Sequence, residues 1–275
     1  MKKTMKKAHG FLVFLLTVGI IVLRTVQLNL YTDEATGYIK KGAEGTAAVF
    51  YCLVLLLAVV VLVCFYGKEY KAGANPFEKT SKPLCVTAVL AGASMFADFI
   101  IRVIFAYNYV SNVSSVEYNY LIPLCLSAFV SLLCAFYFIV MGVSFKTDKY
   151  NFLELKYFHL ILPAAPLCAL VTCLTENVDV TYAEEQLLNY VVLTVFIVFG
   201  ILFIKAVDDN GKNIQSLGVF SLLYAVLAVI AFVPRIIAFA LGVSFSYATF
   251  STVAYFFTGI FALTLGINIF RQKKD

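Results

Sequence analysis

Eight apolar runs, each about 19 to 27 residues long, succeed one another along the chain, at 11–30, 46–66, 84–107, 120–145, 156–174, 186–206, 215–240 and 244–270. A hydrocarbon core about 30 Å thick is crossed by roughly 20 helical residues, so every run is long enough to span it. Inside lipid the backbone must satisfy its own N–H and C=O groups, which makes each run a helix. The expected fold is an all-α polytopic membrane bundle of eight transmembrane helices, one integral membrane domain over residues 1–275, in a cell (cytoplasmic) membrane. Composition closes off the alternatives. The chain is 62% hydrophobic and 13% charged, whereas soluble domains average about 45–50% and about 25%. That excludes a water-soluble enzyme, a nucleic-acid-binding module and a disulfide-stapled secreted scaffold.

The charges between the runs set the orientation. Basic residues in short loops mark the cytoplasmic side. The N-terminus (Lys2 to Lys7), the loops after the second, fourth and sixth runs, and the C-terminus hold 16 of the 21 basic residues. The other four loops hold Lys40 and Lys41 against eight acids, among them Asp33, Glu44, Glu117 and Glu185. Both termini are therefore expected inside. This count also makes the segment after Gly242 a turn, because a kink there would put the basic C-terminus outside. The basic, apolar N-terminus resembles a secretory signal but lacks a small-residue cleavage pattern and is expected to be retained. The seven cysteines lie within the runs, without Cys-x-x-Cys spacing, and are expected to be small buried apolar residues. Two histidines, His9 and His159, argue against a histidine-built metal centre, and no metal or cofactor is expected. His159, at the start of the fifth run, is expected at a solvated surface. No run has a central lysine for a retinal Schiff base.

A short self-similarity links Arg102-Val-Ile-Phe-Ala in the third run to Arg235-Ile-Ile-Ala-Phe-Ala in the seventh, and Gly142 to Gly266 at the ends of the fourth and eighth. The separations differ, and a longer loop after the third run is expected to absorb the difference. The pattern suggests related halves, 1–150 and 151–275, with the same orientation.

Four ionisable residues lie well inside runs: Arg24, Asp98, Arg102 and Arg235. A charge at the bilayer centre costs about 2.5–3.5 kcal/mol even on lenient insertion scales, so each needs a partner, a wet cavity or a route to the headgroups. All four are on outward-running spans, past the midpoint, and are expected in the outer half at similar heights. Asp98 and Arg102, four apart, share a helix face. Two arrangements follow. Either Asp98 and Arg102 form a buried pair while Arg24 and Arg235 snorkel, or the four line a cavity whose excess positive charge suits an anion such as phosphate. Tyr107, Tyr109, Tyr118 and Tyr120 read as an interfacial belt, and Pro123, Pro163, Pro166 and Pro234 as kinks.

The third run also carries a family likeness. Ser94-Met-Phe-Ala97-Asp98-Phe-Ile-Ile101 resembles the Ser-x-x-Gly-Asp-x-x-Leu signature of the YhhN-type lysoplasmalogenases, which likewise have eight spans. Phe129 to Tyr137 is similar to that family's Phe-x-x-Ala-His-x-x-Tyr segment, with Cys134 in the histidine's place. Ala231 to Ala238 is similar to its second acidic segment, with Val233 and Pro234 where serine and aspartate would stand. The resemblance implies hydrolysis of the vinyl-ether bond of a lysoplasmalogen. Asp98 would be the catalytic acid, and Ser94 and Tyr137 would belong to the substrate site. Arg24, Arg102 and Arg235 would hold the phosphate of a membrane lysophospholipid. With Pro234 in place of the second aspartate, a two-carboxylate mechanism lacks a member. A one-carboxylate hydrolase, a lipid pocket without chemistry, a small-anion or lipid-headgroup transporter, and a structural Asp98–Arg102 pair all remain open.

Overall fold

The computed structural model describes residues 2–31, 40, 42–66, 81–112, 117–146, 156–175, 183–208, 213–242 and 248–271. All eight runs are helices: α1 (Lys2–Val26), α2 (Glu44–Phe65), α3 (Lys82–Asn112), α4 (Tyr118–Ser144), α5 (Ile161–Thr175), α6 (Ala183–Asp208), α7 (Ile214–Ala240) and α8 (Ala248–Arg271). A π turn, Gln27–Tyr31, prolongs α1, and a 3-10 turn, Lys156–Leu160, leads into α5. Among the described residues eight helices are long and apolar enough to cross a membrane, and the chain is an all-α, multi-pass protein of the cell membrane.

In helices that are apolar all round, composition does not say which face turns inward. In α2 the buried stripe is Phe50, Val54, Leu57 and Val61, spaced as one helix face, while Val49, Leu55, Leu56, Val59 and Val63 face outward to lipid. The α1 stripe is Ile20, Arg24, Gln27 and Leu28, so two polar residues sit on its inward face. From α3 to α8 each helix packs on the next, and α8 returns to α3 to close a ring of six. The α1–α2 pair packs against α7 on the flank of that ring.

Small residues set the closest approaches. A Cβ at Gly92 of α3 would meet the Ala135 carbonyl oxygen of α4 at 2.9 Å, and one at Gly142 would meet the Cys85 carbonyl oxygen at 3.1 Å, so α3 and α4 are tightly apposed and antiparallel. The α7–α8 hairpin repeats this register: Gly266 faces the carbonyl of Gly218 and the side chain of Leu222, as Gly142 faces Cys85 and Val89. Cys85 and Gly218 stand equally far ahead of Arg102 and Arg235 in sequence. Counted from these contacts, Arg235 matches Arg102, while Ala231 stands where Asp98 would be. The unequal spacing lies in the helices and not in the loop. Relative to their arginines and glycines, α3 and α4 run further toward their shared connection than α7 and α8 do.

Gly242, at φ 94°, ends α7 in the left-handed conformation that favours glycine. Chain reversal, not a kink, separates the last two helices. Residues 243–247 and many of the charges behind the expected orientation, including Lys68, Lys71 and Lys79, lie outside the described residues.

A column of buried rings fills the middle of the six-helix ring. Tyr255 of α8 lies edge-on to Phe196 of α6, which stacks on Tyr224 of α7 with centroids 4.6 Å apart. The contacts continue through Phe199 and Phe203 to His159, then to Tyr137, Phe138 and Phe261. Tyr224 is anchored by a 2.6 Å hydrogen bond with Thr258. His159 is fully buried. This corrects the expected solvated surface, because the 3-10 turn carries the imidazole under the bundle. The cysteines need correction too: Cys52 and Cys125 are exposed on outward faces, and Cys134 is the fully buried one.

Candidate functional site

Asp98 lies 14 residues before the end of α3, with Arg102 one turn nearer that end. Both are buried, with side chains 1% and 5% exposed. Arg102 Nε donates to Asp98 Oδ2 at 2.7 Å, a charge-assisted bond. The antiparallel register of α3 and α4 brings Ser131 opposite Asp98 and Ser127 opposite Arg102. Ser131 donates to Asp98 Oδ2 at 2.9 Å, and Arg102 donates through NH1 to Ser127 at 2.9 Å and through NH2 to the Tyr255 hydroxyl at 3.2 Å. One guanidinium thus joins α3, α4 and α8.

The carboxylate is used unevenly. Oδ2 accepts two hydrogen bonds, whereas Oδ1, equally buried, has no partner among the described residues. A buried carboxylate oxygen without a donor forfeits about 1–3 kcal/mol or more. It is the place in this cluster for a proton, a water or a ligand donor. With Oδ2 committed to Arg102 and Ser131, a proton on Asp98 would sit on Oδ1, facing away from the ion pair.

The hydrogen bonds of Arg24 and Arg235 place them with other partners. Arg24 is 4% exposed; its NH1 donates to Gln27 Oε1 at 3.3 Å, and its Cζ lies 5.0 Å from the centre of the Phe50 ring. Arg235 is 2% exposed and donates to Asn189 Oδ1 of α6 at 3.2 Å. Neither snorkels. Arg235 lies five residues from the end of α7, and Asp98 14 from the end of α3.

Ser94 lies one turn from Asp98 on the same face of α3 and donates to the Ala91 carbonyl at 2.8 Å. Tyr137 stands six residues beyond Ser131 along α4, roughly 9 Å further inward. It is hydrogen-bonded to His159 Nδ1 at 3.1 Å, within the column of rings. Pro234 is buried in α7, and its position supplies no acid. Ser127, Ser131, Tyr255, Gln27 and Asn189 were not singled out from sequence. The serines carried a signal: they are four apart, as Asp98 and Arg102 are, and lie as far after the α3–α4 connection as those two lie before it.

Tyr107 and Tyr118 are exposed near the ends of α3 and α4, as an interfacial belt requires, while Tyr109 packs edge-on to the buried Tyr120. No family model, curated protein or solved structure matches this chain, so the geometry of the Asp98 cluster is the ground for a functional reading.

Proposed function

We propose that the protein receives the polar end of a single-chain phospholipid at the Asp98 cluster and cleaves the vinyl-ether bond of a lysoplasmalogen there, as the likeness to the YhhN-type lysoplasmalogenases implies. The observation that carries this reading is the bare Oδ1 of Asp98, buried beside an Oδ2 that Arg102 and Ser131 hold. Protonated Asp98 would give its Oδ1 proton to the vinyl β-carbon, leaving an oxocarbenium ion and a carboxylate steadied by Arg102 and Ser131. Water adding to that cation returns a proton to Asp98, and the hemiacetal breaks into a fatty aldehyde and a glycerophospho-alcohol. One carboxylate performs both transfers, which accommodates Pro234. The shared register of the two hairpins supports related halves, 1–150 and 151–275, of which the first alone carries the acid.

A second reading is favoured by the bonds from Arg102 to Asp98, Ser127 and Tyr255: the cluster is a structural staple of α3, α4 and α8. Purified protein incubated with lysoplasmalogen separates the two. Aldehyde release above a detergent blank, lost in Asp98→Asn while the helical fold is kept, is the expected result. No aldehyde from the wild type would remove the hydrolase reading, and unchanged melting of Asp98→Asn would remove the staple.

A further inference from the structure

Asp98 balances the charge of Arg102, but nothing charged balances Arg24 among the described residues. Its partners are a neutral amide and the face of a ring. A guanidinium has five N–H donors. Gln27 Oε1 takes one of them at 3.3 Å, and the side chain is 4% exposed. A cation in that state inside a bundle surrounded by lipid calls for an anion.

The surroundings of Arg24 suit one. Gln27, fully buried one turn on, begins the π turn Gln27–Tyr31, a rare helix form that recurs at functional sites. Lys40 stands against the end of that turn. Lys40 donates from its backbone N–H to the Tyr31 carbonyl at 2.6 Å and from Nζ to the Leu30 carbonyl at 3.0 Å. Lys40 is exposed, so one cation stands at the rim and a second lies about six helical residues, roughly 9 Å, below it. The arrangement has an outer charge to attract an anion and a planar, donor-rich group below to hold it.

We propose that Arg24, with Gln27 beside it and Lys40 at the rim, is a binding site for a phosphate group. It stands on α1 and the π turn, apart from the α3–α4–α8 cluster, and does not depend on the hydrolase reading. A phosphomonoester head of a single-chain lipid and free inorganic phosphate share the chemistry that Arg24 reads.

The test measures binding of lysophosphatidic acid, of the monoacylglycerol of equal chain length, and of inorganic phosphate to the full chain in detergent, by equilibrium dialysis. Saturable binding of lysophosphatidic acid but not of monoacylglycerol is expected, weakened about 30-fold in Arg24→Gln and less in Arg24→Lys, which keeps charge without the fork. Arg24-dependent binding of inorganic phosphate, with or without the lipid, also supports the site and identifies the free anion as an occupant. Lys40→Gln, at an exposed position that leaves the core intact, should weaken binding about threefold at low salt and hardly at all in high salt. Wild-type affinity in Arg24→Gln, or no binding of either phosphate probe to the wild type, overturns the proposal.

Discussion

Removing both members of the Asp98–Arg102 pair should cost clearly less than the two single removals combined. The two groups are in contact at 2.7 Å and both are buried, so neither charge can turn to water when the other is lost. At an effective dielectric constant near 20, unit charges about 4 Å apart attract by about 4 kcal/mol. Breaking a buried pair from one side typically costs about 3–5 kcal/mol. Asp98→Ala leaves the guanidinium facing hydroxyls such as those of Ser127 and Tyr255, and Arg102→Met leaves the carboxylate with Ser131. Each single variant is expected to lose about 3–5 kcal/mol, whereas the double variant strands no charge and should lose clearly less than the two combined. The coupling should then be about 2–3 kcal/mol. Reversible unfolding in mixed micelles of a mild detergent and SDS, followed by far-ultraviolet circular dichroism, measures all three. A coupling under about 0.5 kcal/mol would show that the two residues do not act as a unit, and the argument from their contact would fail.

Three other outcomes follow from the packing. Gly92→Val should destabilise by about 1–3 kcal/mol through overpacking, because even a Cβ there meets Ile139 Cγ1 at 2.7 Å, while Gly19→Ala, with open space around it, should be neutral in the same melts. Tyr137→Phe should cost about 1 kcal/mol for its lost bond to His159 yet leave aldehyde release unchanged; lost activity at unchanged stability would return Tyr137 to the substrate site. In a cysteine-free background in whole cells, Lys40→Cys should react with an impermeant maleimide and Lys146→Cys only after permeabilisation, and the reverse pattern would invert the orientation.

The helices were legible because membrane solvent imposes one conformation on a long apolar run, and all eight follow. The inward faces were not, since in α2 the buried Phe50 and Leu57 and the exposed Leu55 and Val63 are equally apolar. Only polar residues betray a face within such helices, which is why Asp98 and Arg102 could be paired from their spacing. Their serine partners became visible only with the antiparallel register of α3 and α4. Arg24 and Arg235 were read as snorkelling or as sharing one cavity because length alone gives depth and not azimuth. Tyr137 was read by analogy as part of the substrate site, whereas its bond to His159 depends on a 3-10 turn with no apolar periodicity to announce it.

The column of rings from Tyr255 to Phe261 also bears on electrical behaviour. An ion moving along the axis of the six-helix ring would have to part nine rings, each no more than 8% exposed. Such a core is an insulator. Bilayers containing the protein should therefore show no ionic conductance above that of bare lipid, whatever occupies the Asp98 cluster, and a solute held there would have to leave on the side from which it came.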